Sequence, residues 1–263
     1  MCEALHNYEF TEEKYMEIRL IGSGGRMREC VGVLKARLEN RPGRLLLLPI
    51  PTTRDKIFIT STNTTTSAVA EMIDSETVVA GYSIPKDIVS RAGEMGALIF
   101  DASLDERFLL DNAKISGEGA LGYILTHSTK ALRDMRVGIV GYGRIGREMT
   151  RLCLLFGAEV IVYTARDSVT LELGEMGIDA RLIDGELGLT DIDILINTTP
   201  KRQIDEGAIP KDIDIIDLAS GSIFEPSERL IKLSSIPDAF YPETAGRLYA
   251  GAILRFLEGE GVL

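Results

Sequence analysis

The sequence predicts an α/β protein made of two Rossmann-like open parallel sheets with an interdomain cleft. Three observations predict it. A glycine motif sits between an apolar run and an amphipathic segment at residues 137–156. Apolar runs of strand length alternate with helix-like periodicity from residue 17 to 110. The same alternation resumes after residue 137. The 263 residues have room for two modest domains, and the 45% hydrophobic and 26% charged fractions are ordinary for a globular chain.

In chain order, residues 17–22 read as a first strand ending in Gly22-Ser-Gly-Gly25. A helix from 26 to 39 follows, with Met27, Val31, Leu34 and Leu38 on one face. This resembles a dinucleotide turn whose last glycine falls early, so it is read as a βα unit that no longer binds one. Arg41-Pro-Gly43 marks a turn. Residues 45–49 form a short buried strand, 57–59 one more, 68–73 a helix and 77–80 a strand. Pro85 opens a helix to Met95. A strand at 97–100 and a short helix at 103–110 complete the first domain. Residues 117–132 read as a connector helix, with Leu121, Ile124, Leu125, Ser128 and Leu132 on one face. The second sheet begins at Val137 and continues with strands at 159–163, 179–183, 192–196 and 213–218. A last helix spans 243–257. The expected domains are 1–115, on the substrate side, and 116–263, on the nucleotide side. Residues 116–133 connect them and 243–257 pack between them.

The second sheet's first turn carries the chemistry. Gly141, Gly143 and Gly146 have the Gly-x-Gly-x-x-Gly spacing, and Ile145, Met149, Leu152 and Phe156 give the following helix its apolar face. Gly141 permits the tight turn, Gly143 admits the pyrophosphate, and Gly146 lets helix and strand pack closely. The helix N-terminus offers N–H groups and a positive dipole end to phosphates. Arg144 and Ile145, within the motif, count with the glycines as cofactor-binding. At the next strand tip stand Thr164 and Ala165, with no acid, while Arg166 and Ser168 just beyond suit a 2′-phosphate. NADP is therefore favoured, NAD remaining possible through Asp167. Asn197, Thr198, Thr199 and Pro200 are expected at the nicotinamide ribose. Asp217 and Ala219, in the small-residue segment 217–222, are expected beside the ring, with Asp217 itself read as a strand-end structural acid.

The first domain supplies hydroxyls and one guanidinium: Thr52, Thr53, Arg54 and the run Thr64, Thr65, Thr66, Ser67. With Ser116 and Glu118, at the expected start of the connector helix, they suit a small carboxylate substrate. His127, one of two histidines, is the candidate acid/base; His6 carries little weight. The net charge of −11 argues against nucleic acid and requires local cationic sites for anionic ligands. No apolar run is long enough to span a bilayer, and residues 1–10 do not read as a secretory signal. Cys2, Cys30 and Cys153 form no metal or disulfide pattern, so a cytoplasmic location is expected.

The chain resembles the A subunit of dipicolinate synthase, an oxidoreductase of spore-forming bacteria, across nearly its whole length. The residues carrying this are Leu48-Pro-Ile-Pro-Thr-Thr53, Ile115-Ser-Gly-Glu-Gly119 with His127 on the same helix, and the motif at Gly141. They continue with Ala165-Arg-Asp-Ser168, Asp191-Ile-Asp-Ile-Leu-Ile-Asn-Thr-Thr-Pro200, Ile216-Asp-Leu-Ala-Ser220 and Pro242-Glu-Thr-Ala-Gly246. The glycine and Asp-Leu-Ala-Ser elements are shared with D-2-hydroxyacid dehydrogenases and adenosylhomocysteinase. The resemblance implies pyridine-nucleotide-dependent oxidation of dihydrodipicolinate, a small dicarboxylate, to dipicolinate in spore formation, together with a flavoprotein-like B subunit. The protein is also expected to form a homo-oligomer. The segment between Arg41 and Leu45 is shorter than the family's pattern. No arginine lies in 217–222, where D-2-hydroxyacid dehydrogenases place a substrate-binding one. Two other readings stay open: a non-catalytic NADP-binding regulatory or scaffold subunit, and a dehydrogenase for another small carboxylic acid.

Overall fold

The computed structural model describes residues 16–39, 41–183, 189, 191–201, 207, 209–221 and 224–263. The expectations for Cys2, His6, the N-terminal lead and Ser222 lie outside them. The chain divides into two compact units, Met1–Asp105 with Gly246–Leu263, and Glu106–Ala245. The expected boundary at 115/116 therefore falls ten residues late, inside a helix, and most of the C-terminal helix belongs to the first unit.

The first unit holds a four-stranded parallel sheet in the order β1-β2-β3-β4: Glu17–Leu20, Arg44–Leu47, Thr77–Gly81 and Leu98–Asp101. Helix α1 (Gly25–Arg37) follows β1, as the periodicity required. α2 (Thr66–Ala70) and α3 (Lys86–Met95) pack on the face carrying Leu46, Leu48 and Val79. Pro85 stands just before α3 rather than in its first turn, and Gly96 ends that helix with a left-handed φ of 69°. Residues 57–59 make only isolated bridges, Thr53 with Ile59 and Phe58 with Thr65. The Asp55 carboxylate explains this, because it accepts from Ile57 N and Phe58 N at 2.9 and 2.8 Å. Those N–H groups are taken from any ladder. α8 (Pro242–Gly259) lays Gly246 against the Arg26 carbonyl and the Glu29 side chain of α1, where a Cβ would come within 2.6 Å of both. Tyr249, fully buried, reaches the Leu48 carbonyl at 3.3 Å.

The second unit holds a six-stranded parallel sheet in the order β10-β9-β8-β5-β6-β7. The strands are β5 (Arg136–Val140), β6 (Glu159–Thr164), β7 (Asp179–Leu182), β8 (Ile194–Asn197), β9 (Asp214–Asp217) and β10 (Leu230–Lys232). Counted from β5 this is the doubly wound order 3-2-1-4-5-6 of dinucleotide-binding sheets. The chain winds outward through β6 and β7, returns past β5 to β8, and winds the other way. The switch point therefore lies between the carboxyl ends of β5 and β8. Apolar runs such as 137–140 and 194–196 are buried because helices cover both faces of such a sheet.

The helices differ from expectation in one instructive way. Residues 106–127 form a single 22-residue helix, α4 (Glu106–His127), where two were expected. It packs against α5 (Arg144–Leu155) and α7 (Ile236–Phe240). A Cβ at Gly117 would come 2.7 Å from Glu148 Cγ, and one at Gly119 would come 2.4 Å from Ile236 Cγ2. The glycines that read as a helix start are close-packing residues inside a helix. α5 buries Met149 and Leu152 as its periodicity predicts, with Cys153 buried beside them, but Phe156, just past its end, is 46% exposed. α6 (Asp167–Glu175), α7 and β10 were not anticipated.

Candidate functional site

The glycine turn at the switch point gives each glycine a separate reason. Gly141 has φ +90°, and a Cβ there would lie 2.9 Å from Thr198 Oγ1. A Cβ on Gly146 would lie 2.2 Å from the Gly141 carbonyl oxygen, so helix and turn touch backbone to backbone. Among the described residues, chain neighbours apart, a Cβ at Gly143 would meet nothing within 4 Å, which leaves open space in front of the first turn of α5. Thr198 donates to the Val140 carbonyl at 2.9 Å, tying the loop after β8 to the end of β5. Ile145 packs half-buried against the core beneath. Arg144 opens α5 and pairs with Glu106 at 2.6 Å, which holds the Glu106 carboxyl below the usual range.

The tip of β6 is more ordered than a free loop. Thr164 is buried, and its hydroxyl accepts from Arg166 N at 3.2 Å. α6 begins at Asp167, so Ser168 and Asp167 stand in its first turn. There the Thr170 hydroxyl donates to the Asp167 carbonyl at 2.6 Å. Arg166 is exposed, and its Nη2 donates to the Tyr142 carbonyl inside the glycine turn at 2.8 Å. Among the described residues no carboxylate pairs with Arg166. A guanidinium is thus held beside the turn with most of its donors available.

Three adjacent strands end in one polar row: Asn197 of β8 is in register with Asp217 of β9, and Asp217 with Lys232 of β10. Asp217 is fully buried. It accepts from Asn197 Nδ2 at 2.8 Å, from Ala219 N at 3.1 Å and from Lys232 Nζ at 2.6 Å. Lys232 Nζ also donates to the carbonyls of Ala219 and Gly221. The reading of Asp217 as a strand-end structural acid agrees with this geometry. Asn197, expected at the nicotinamide ribose, has both amide hydrogens engaged, on Thr199 O at 3.0 Å and on Asp217, while its oxygen accepts from Thr199 N at 3.3 Å and keeps one acceptor site. Thr199, Pro200 and Ala219 remain on the loops that this row fixes, Ala219 being buried. Lys232 escaped the sequence reading because a three-residue strand has too little pattern to signal itself.

Three further expectations are corrected. Ser116 and Glu118 lie in the middle of α4, so no helix N-terminus is free there, and the Ser116 hydroxyl donates back to Asn112 O at 2.8 Å. His127 ends α4, stacked on Tyr123 at 3.9 Å with Nδ1 2.9 Å from the Tyr123 carbonyl. The start of α4 meets the start of α5 through Glu106 and Arg144, and 22 helical residues run about 33 Å. His127 therefore sits at the far end of α4, a helix length from the Glu106–Arg144 contact beside the glycine turn. We expect His127→Ala to leave dinucleotide affinity and any turnover within about twofold, by titration and assay. Burial pushes the thiols of Cys30 and Cys153 up to about 12, which removes them as nucleophiles. Among the described residues no cluster of three or more His, Cys, Asp or Glu is placed to hold a metal. None of their helices is long and apolar enough to cross a membrane.

The predicted substrate residues of the first unit gather in one loop. Thr52 is buried, its hydroxyl donating to Pro49 O at 3.3 Å and accepting from Tyr82 N at 2.9 Å, which makes it a structural pin. Thr53 donates to Asp55 at 3.2 Å. Hydrogen bonds from Phe58 and Ile57 N–H hold the Asp55 carboxyl below its usual range. Thr65 caps α2 by accepting from Ala68 N at 3.1 Å, leaving its own O–H to donate. Arg54 is exposed and lines a hollow of about 520 Å³ with Phe58, Thr60 and Thr62.

Residues 121–213 match the family model of the D-isomer specific 2-hydroxyacid dehydrogenase NAD binding domain. No curated protein matches in sequence. Among solved structures, the A subunit of dipicolinate synthase from Bacillus halodurans superposes with a TM-score of 0.76 at 19% identity, covering 93% of this chain and 98% of that one. The same subunit of the Bacillus subtilis enzyme gives 0.75 at 19% identity, over 94% and 97%. The D-lactate dehydrogenase of Escherichia coli gives 0.64 at 10% identity, over 94% and 97%. The chain thus shares the fold of the dipicolinate synthase A subunit over almost its whole length, and its residues 121–213 are similar in sequence to the NAD binding domain of D-2-hydroxyacid dehydrogenases.

Proposed function

We propose that the protein is an NADP-dependent oxidoreductase of the dipicolinate synthase A type, oxidising dihydrodipicolinate to dipicolinate. The observation that carries the reading is the glycine turn at the switch point, within a segment matched by an NAD binding domain model. The likeness in fold to the A subunit of dipicolinate synthase supports the substrate class. NADP, when bound, supplies the hydride acceptor.

The chain's own groups bind and orient. The open space at Gly143 and the first turn of α5 receive the pyrophosphate. Arg166, held on the Tyr142 carbonyl, meets the 2′-phosphate. The row Asn197–Asp217–Lys232 fixes the small-residue segment from Ala219 to Gly221, which would hold the flat ring. Arg54 and the hydroxyl of Thr65 bind substrate carboxylates, with Thr53 alongside. With His127 at the far end of α4, the proton lost on aromatisation goes to solvent.

The test is an assay of NADPH formation from NADP and dihydrodipicolinate, with and without a flavoprotein-like B partner. Substrate-dependent NADPH is the expected result. Its absence in both conditions, with NADP still bound, would leave the second reading, a non-catalytic NADP-binding subunit. The place of His127 favours that reading, since the one residue expected to move a proton lies away from the turn.

A further inference from the structure

The chain carries a net charge of −11, yet one hollow of about 470 Å³ beside the glycine turn is lined by five Lys or Arg and only two Glu. Most of these cations have close partners. Arg144 meets Glu106 through two bonds of 3.0 and 2.6 Å, and Arg151 meets Glu148 through two of 3.1 and 2.6 Å. Lys114 meets Asp111 at 2.9 Å. Two guanidinium groups differ, and both lie against Tyr142. Arg166 donates to the Tyr142 carbonyl. Arg147 lies over the Tyr142 ring, its Cζ 4.5 Å from the centroid. Arg147 also holds Glu172 of α6, but loosely: 3.0 and 3.4 Å, with the two side chains 50% and 42% exposed.

Resting on the dinucleotide reading, we propose that Arg147 is the second cation of the 2′-phosphate receptor and that Glu172 is its internal competitor. The ribose 2′ position of a bound dinucleotide falls at the tip of the second strand, here the end of β6, where Arg166 stands. A phosphate there carries nearly two negative charges and three acceptor oxygens, more than one guanidinium satisfies. The Tyr142 ring keeps the Arg147 guanidinium at the hollow that Arg166 also lines, whether or not Glu172 is engaged. An exposed ion pair of this kind contributes little by itself, so exchanging the Glu172 carboxylate for a phosphate costs little. The exchange replaces a single charge by a nearly double one. Arg147 and Glu172 then set the preference between phosphorylated and unphosphorylated ribose without touching the rest of the cofactor.

The test uses calorimetric titration of the full chain with adenosine 2′,5′-bisphosphate and with 5′-AMP, which differ only in the 2′-phosphate. Wild type should bind the bisphosphate at least about tenfold tighter, as expected for charge-assisted hydrogen bonds. Arg147→Ala should lose about tenfold for the bisphosphate and stay within about twofold for 5′-AMP. Glu172→Gln should tighten the bisphosphate about threefold and leave 5′-AMP unchanged; it tests the competitor role even if the arginine variant folds poorly. Equal losses for both ligands in Arg147→Ala, or no gain in Glu172→Gln, would overturn the proposal while the dinucleotide reading stood. Wild type binding both ligands equally would overturn it as well. Binding of neither ligand, nor of any nicotinamide dinucleotide, would remove both readings together.

Discussion

Gly143→Ala is expected to fold like the wild type and to weaken dinucleotide binding at least about tenfold, whereas Gly146→Ala is expected to damage the fold itself. The two residues are three apart in one motif, and their surroundings separate them. Gly143 has an extended backbone that any residue adopts, and among the described residues, chain neighbours apart, no atom lies within 4 Å of an added Cβ. The methyl group meets none of the described residues beyond its chain neighbours and enters the space that we assign to the pyrophosphate. At Gly146 the added carbon falls 2.2 Å from the Gly141 carbonyl oxygen. That oxygen is backbone, so helix and turn must separate. Overpacking against rigid neighbours costs about 3 kcal/mol. Thermal melts with and without NADP distinguish the cases. An unchanged melting temperature in Gly146→Ala, or unchanged affinity in Gly143→Ala, would contradict the assignment of these glycines.

Lys232→Met is expected to be the most damaging change outside the glycine turn. Among the described residues it leaves the fully buried Asp217 carboxylate with two neutral donors and no cation. Removing one partner of a buried pair costs about 3–5 kcal/mol, and the partial exposure of Lys232, 30%, places the expectation at the lower end, about 3 kcal/mol. The double variant Lys232→Met with Asp217→Leu should recover part of that loss, because no uncompensated charge remains. Denaturant melts of the two variants give the comparison. If the single variant is as stable as wild type, the row across β8, β9 and β10 does not hold the loop that we assign to it.

Much of this was legible in the residues. The run at 137–140 and the helix at 144–155 announce themselves because burial on both faces of a strand and on one face of a helix leaves unambiguous periods. The doubly wound sheet follows from that alternation. What misled was glycine used for a second purpose. Ser116, Gly117 and Gly119 read as the opening of a helix, because Ser and Gly favour such ends. Here the two glycines admit Glu148 and Ile236 at close range within a continuous helix. That one difference also displaced His127, whose distance from the turn depends on the helix being unbroken from Glu106. The first unit's loop misled through Asp55: an apolar triplet looks like a strand, but a carboxylate just before it takes its N–H groups. The cation on Asp217 was invisible because it arrives from a strand of three residues with no period to read.

Arg166 shows what local sequence can supply and what only packing can. The absence of an acid at the β6 tip was plain. That its guanidinium is tethered to the Tyr142 carbonyl, with Arg147 on the ring of the same residue, depends on the turn and the two helices meeting. The most direct test of the dinucleotide site is titration of the purified chain with NADP and with NAD. Saturable binding of NADP at least about tenfold tighter than NAD is the expected result, with the difference collapsing in Arg166→Ala. Tighter binding of NAD, or no saturable binding of either, would contradict it.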